Sequence, residues 1–175
     1  MGKAGYVIGA ILVIAMAVFI VYMVPSSISA NVSVVHEKSG LLGKEVTLDA
    51  QWVGYNVLHQ QLFTINEYIN YSTNCLNHVS NAVVWINYNS LRYYTVLAMI
   101  NKVSTPITTS IGTPVINIII TTGNYVTINT SYTIQLAHSF PIANMNSNVT
   151  IMPSYVNYTL SGPGLSEYGK ITICH

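Results

Sequence analysis

Residues 55–105 read YNVLHQQLFTINEYINYSTNCLNHVSNAVVWINYNSLRYYTVLAMINKVST, fifty-one residues without a glycine or a proline. A meander of short strands needs a turn every 8–12 residues or so, and Gly and Pro are the strongest turn formers. The run therefore reads as helix. Stepping by three and four from Leu48 to Ile100 lands on an apolar residue or Tyr at thirteen of sixteen positions, and the phase holds for seven heptads. Asp49 in the first turn and Lys102 in the last complement a helix dipole. Two architectures fit residues 47–102. One is a helical hairpin turning at Asn70-Tyr71-Ser72-Thr73-Asn74, favoured by that polar cluster and by the lack of charged flanking pairs. The other is a single helix, roughly 80 Å long, forming a coiled-coil stem, favoured by the unbroken phase.

After Pro106 the texture changes to strands. Val115–Thr122 and Tyr125–Leu136 flank Gly123-Asn124, the kind of pair that closes a type II′ hairpin. Asn148–Met152, Tyr155–Leu160 and Lys170–Cys174 read as further strands, and Thr105–Ile111 as another. Residues 103–175 are thus expected to form a small antiparallel β-sandwich. Residues 25–46 form a joint with a short strand at Asn31–Val35. That strand could add to a neighbouring subunit's sheet or join its own.

Upstream, Ala4–Val24 carries no charge, Asn, Gln or Pro, follows Met1-Gly2-Lys3 and ends at Pro25. As a helix it reaches roughly 31 Å, and it reads as a transmembrane anchor over residues 1–24, running from Ala4 through Phe19 to Val24. Gly5 and Gly9 form a GxxxG pair that lets helices approach closely. Lys3 on the near side places residues 25–175 outside the cytoplasm, at a virion or cell surface. The expected fold class is therefore α+β and membrane-anchored. The apolar stretch is longer than that of a secretory signal and the chain starts at Met1, so an uncleaved helix is expected.

Only 6% of the chain is Asp, Glu, Lys or Arg, and the net charge is +1. Nucleic-acid binding lacks its basic footprint, and 51% hydrophobic residues argue against disorder. With five carboxylates (Glu37, Glu45, Asp49, Glu67 and Glu167), stability is expected to change little between neutral and acidic pH. Cys75 and Cys174 suggest one disulfide across a loop of about 100 residues. Sequons begin at Asn31, Asn70, Asn129, Asn148 and Asn157, all on the expected external side, and are candidates for glycosylation.

A catalytic constellation is hard to find. His36, His59, His78, His138 and His175 lack metal-ligand spacing. Glu67 and Asp49 read as solvated helix charges, and Ser139 beside His138 lacks a nucleophile elbow. The chain is expected to be no enzyme and to use no cofactor, metal or small-molecule substrate. Its partners are expected to be membrane lipid and other copies or subunits. Thirteen Tyr and two Trp suit protein–protein burial. Trp52, Tyr55, Tyr68, Trp85, Tyr88 and Tyr93 are the candidates for an intersubunit surface.

The short basic start at Lys3-Ala4-Gly5, the apolar Tyr6–Val24 and an external β domain rich in Ser, Thr, Asn and Tyr resemble archaeal type IV pilins. That resemblance implies filaments with a central bundle of N-terminal helices, after a peptidase cuts just before the helix. A fifty-residue helical insert departs from that plan. The same composition is similar in style to surface proteins of viruses of hot-spring archaea, where an anchor, a helical stem and a β head make a spike. The expected function is a non-enzymatic structural subunit of an extracytoplasmic assembly, first as a virion surface protein, second as a pilin-like filament subunit, third as an adhesion protein.

Overall fold

From Ser27 onward a period of two governs the chain. β-branched and aromatic residues at alternate positions bury one face of an extended strand. In the stretch Val46, Leu48, Ala50, Trp52, and again in Phe63, Ile65, Glu67, Ile69, Tyr71, each second side chain is buried. The computed structural model describes residues 2–90, 94–100, 105–108, 115–136 and 140–175. For Phe19, Ile20, Met23, Ser90, residues 94–100 and 105–108, Leu136 and Phe140 it describes the backbone alone.

One helix, α1 (Lys3–Met23), precedes eleven strands among these residues. They are β1 (Ser27–Gly40), β2 (Gly43–Tyr55), β3 (Gln61–Thr73), β4 (Val79–Ser90), β5 (Tyr94–Ile100), β6 (Thr105–Thr108), β7 (Val115–Thr122), β8 (Val126–Leu136), β9 (Phe140–Ile151), β10 (Tyr155–Gly162) and β11 (Leu165–Thr172). The first sheet runs β1-β2-β3-β4-β5 and the second β11-β10-β9-β8-β7-β6. Every neighbouring pair is antiparallel. Inner side chains of the two meanders share one core, in which Trp52, Ile65 and Tyr71 from the first meet Ile128, Tyr132 and Met145 from the second. Trp52 and Tyr132 contact edge to face at 6.0 Å between centroids.

The helical segment expected over residues 47–102, hairpin or stem, is not there. The described part of that span is β2 to β5. A stride of three and four alternates between odd and even positions, so it samples both faces of a strand. It scores as a stripe when the outer face also carries Tyr, Trp and Val. The missing Gly and Pro are replaced by asparagines that close turns with their own side chains. Asn56 Oδ1 accepts from the backbone N–H of Leu58 and Gln60 at 3.0 and 2.9 Å. Asn74 Oδ1 accepts from Leu76, Asn77 and His78 at 3.0, 3.0 and 2.9 Å. His59, Cys75 and Asn81 take left-handed φ values of 60°, 64° and 55°. The turn expected at residues 70–74 thus lies a few residues later.

The β structure is not confined to residues 103–175 but begins at Ser27. Asn31–Val34 pairs with β2 of its own chain, Asn31 opposite Gln51 and Val34 opposite Leu48. β7 and β8 form a hairpin as the spacing predicts, but its loop is the three residues 123–125, with Thr122 opposite Val126. The rest of the strand expected at Thr105–Ile111 lies outside the described residues beyond Thr108.

The transmembrane anchor is also corrected. Among the described residues no helix is long and apolar enough to cross a membrane. α1 itself runs from Lys3 to Met23. Ala4, Gly5 and Gly9 lie in this stretch, the Phe19 side chain lies outside the described residues, and Val24 follows the helix as its cap. Membrane anchoring by a helix, with the placement of residues 25–175 derived from it, is therefore not supported.

Candidate functional site

Because strands alternate, the aromatic candidates separate by face. Trp52 is fully buried and Tyr88 nearly so, both in the chain's own core. Tyr68 and Trp85 point the other way. They are direct partners across β3 and β4, and their rings stack at 5.4 Å with 24° between planes. Tyr55 is half-buried, 6.4 Å from the His59 ring. Tyr93 lies outside the described residues.

The register builds a site around the stacked pair. Asp49 on β2 is opposite Tyr68, so Asp49, Tyr68 and Trp85 form one row across the outer face of the first sheet. On one side runs a row of amides, Gln51, Asn66 and Asn87; on the other, Thr47, Asn70 and Val83. Asn66 Nδ2 donates to both carboxylate oxygens of Asp49, at 3.1 and 2.9 Å. Asn70 Nδ2 donates to Thr47 Oγ1 at 2.8 Å. Burial raises the Asp49 pKa above its ordinary value, and the Asn66 hydrogen bond partly offsets this. Burial and the Asp49 charge raise the Tyr68 phenol. The result is a two-ring ridge flanked by fixed amides and one oriented carboxylate.

A second polar cluster lies between the sheets. Glu67, expected to be a solvated helix charge, is a fully buried strand residue. Thr130 Oγ1 donates to its Oε1 at 2.8 Å and the Tyr132 hydroxyl to its Oε2 at 2.6 Å. Desolvation raises the Glu67 pKa against the opposing pull of these hydroxyls, and Asp49 adds to the rise. Burial first, then the Glu67 charge, raises Tyr132. Ser147 faces the same carboxylate closely enough to favour its charged form, but its Oγ has no hydrogen bond of normal geometry. Trp52 Nε1 and the Tyr71 hydroxyl are also buried without a partner among the described residues.

The end of the sandwich farthest from α1 is stapled. Cys75 and Cys174 form the expected disulfide, with Cα atoms 5.9 Å apart and a sequence separation of 99. Lys44 Nζ binds Glu37 at 2.6 Å and the Ile173 carbonyl at 2.9 Å, and the Thr73 hydroxyl donates to the Pro153 carbonyl. An open groove of about 540 Å³ lies here between the β1–β2 and β3–β4 turns. Leu41 and Leu42 protrude at its rim.

Of the sequon asparagines, Asn31, Asn129, Asn148 and Asn157 are exposed, whereas Asn70 is half-buried and engaged with Thr47. Asn129 and Asn148 are cross-strand partners on the outer face of the second sheet. Among the described residues no group of three His, Cys, Asp or Glu could hold a metal; His138 and Ser139 lie outside them. Single-residue reading found Tyr68 and Trp85 but missed Asp49, Gln51, Asn66 and Asn87, which join them only through register. Comparison with known protein families, curated proteins and solved structures finds no match to this chain.

Proposed function

We propose that this chain is a non-enzymatic structural subunit of a filament-like assembly, in which α1 helices of several copies pack together and the β-sandwich heads face outward. The observation that carries this reading is the surface of α1. Ile11, Leu12, Val13 and Ile14 are 60%, 60%, 68% and 63% exposed. Successive residues point about 100° apart, so four in a row face every side of the helix. Among the described residues α1 packs against no strand to any substantial extent. A helix apolar all round is stable only when it is covered all round, and a single partner helix covers one stripe. Several copies of the same helix cover the whole circumference, and Gly5 and Gly9 let their backbones approach.

Two further features support the reading. The helix leads through three residues into an all-β head, which is the plan that the pilin resemblance implies. The helical stem that favoured a virion spike is replaced by strands. Replacing Ile11 and Ile14 by Lys tests the proposal. The parent chain should form filaments visible by negative-stain electron microscopy, and the double variant should remain as folded, dispersed heads. Filaments from the double variant, or a parent chain that stays monomeric at high concentration, would overturn it.

A further inference from the structure

We propose that the Tyr68–Trp85 ridge on the outer face of the first sheet binds a neutral saccharide unit. The argument does not depend on assembly through α1. Successive rows on one face of a sheet lie about 7 Å apart, close to the width of one pyranose ring. A sugar lying on the ridge therefore sets its hydroxyls over the flanking amides. Because the two rings stack on each other, one face of each is covered, and the sugar's weakly positive ring C–H groups meet the negative face that the stack leaves. Carboxylates accept only, whereas amides both donate and accept, which together match hydroxyls that do either. Asp49 and Asn66 are held in place before any ligand arrives, by two hydrogen bonds of 3.1 and 2.9 Å.

Charge selects the class of partner. Across β1 to β4 the three rows carry Asp49, the Tyr68 phenol and, at the β1 end opposite Thr47, His36, with no Lys or Arg among the described residues. Over the ridge itself an anionic polymer meets the repelling Asp49 carboxylate and no Lys or Arg among the described residues, while a neutral polyhydroxyl is accepted. Size argues against another protein. Both rings are half-buried, and together they offer far less than the roughly 800 Å² per partner of a stable protein interface.

The two tryptophans make the test direct, because Trp52 is buried in the core and Trp85 lies on the ridge. The full chain is titrated with maltohexaose, cellohexaose, mannotriose and the trimer of N-acetylglucosamine, with polygalacturonate as the anionic control. At least one neutral oligosaccharide should give a saturable change in tryptophan fluorescence and a matching calorimetric isotherm. By calorimetry, Trp85→Ala should abolish binding and Asp49→Ala weaken it about tenfold. Tyr68→Phe, which keeps the ring, should bind like the parent, and circular dichroism should show all three folded. The proposal is overturned if no neutral sugar binds, if Trp85→Ala binds as the parent does, or if polygalacturonate binds equally well. A fluorescence change that follows protein concentration alone would also overturn it, by assigning the ridge to a second copy.

Discussion

Glu67 is the residue whose environment departs most from what its type suggests. A carboxyl group with no exposed surface sits between two sheets, held by Thr130 and Tyr132. Its unfolded value is near 4.5 and its folded value is raised. The stability it contributes is therefore complete below about pH 4.5 and is lost as pH rises through the folded pKa. Asp49 acts in the same direction. Thermal denaturation should show a higher Tm at pH 4 than at pH 8, a stronger statement than the near-constant stability expected from few carboxylates. Glu67→Gln should raise stability by roughly 1–3 kcal/mol at pH 8 and flatten the pH profile. A parent protein that melts earlier at pH 4 would refute the assignment. Gly43 offers a second test. Its φ is 145°, and an added Cβ would sit 2.0 Å from the Thr73 carbonyl oxygen. Gly43→Ala should cost at least about 1–3 kcal/mol in urea denaturation.

At the scale of elements, turns decide the register of this fold. Asn74 satisfies three backbone N–H groups in the β3–β4 turn, next to the disulfide at Cys75. Asn74→Ala leaves those donors to water and should cost roughly 1–3 kcal/mol by denaturant titration. Removing the Cys75–Cys174 bridge with paired serines frees a loop of 99 residues. On the chain-entropy model that costs about 4–5 kcal/mol, or roughly 10–20 °C in Tm for a domain of this size. A change under about 3 °C on calorimetry would show that Lys44 and Thr73 hold that end without the bridge. The strands β7, β8 and β10 were legible because Gly and Pro punctuate them and because Ile and Val alternate with Asn and Thr, whereas β9 and β11 were legible only at their C-terminal ends. β2 to β5 were not legible. Their outer faces carry Tyr55, Tyr68, Val83 and Trp85, and their turns use Asn, so neither alternation nor turn composition stood out.

For the whole molecule, the contrast lies between a covered head and an uncovered helix. The two sheets bury their inner faces on each other, whereas α1 leaves Ile11 through Ile14 in solvent. A chain lacking residues 2–24 should therefore stay folded and monomeric in analytical ultracentrifugation, with a Tm within a few degrees of the full chain. The full chain should sediment as larger species. Loss of folding on truncation would mean that α1 contributes to the core.

The sequence by itself determined the apolar helix, the disulfide pair, the low charge and part of the strands after Pro106, because these depend on composition, on the count of cysteines or on contacts close in the chain. Only the tertiary structure decided that residues 47–90 are strands, that Glu67 is buried, and that Asp49, Asn66, Tyr68 and Trp85 share one surface. Those facts depend on which strand lies beside which. A shift of one residue in that pairing would move every side chain to the opposite face, and no local pattern in an uncharged, tyrosine-rich chain specifies the partner.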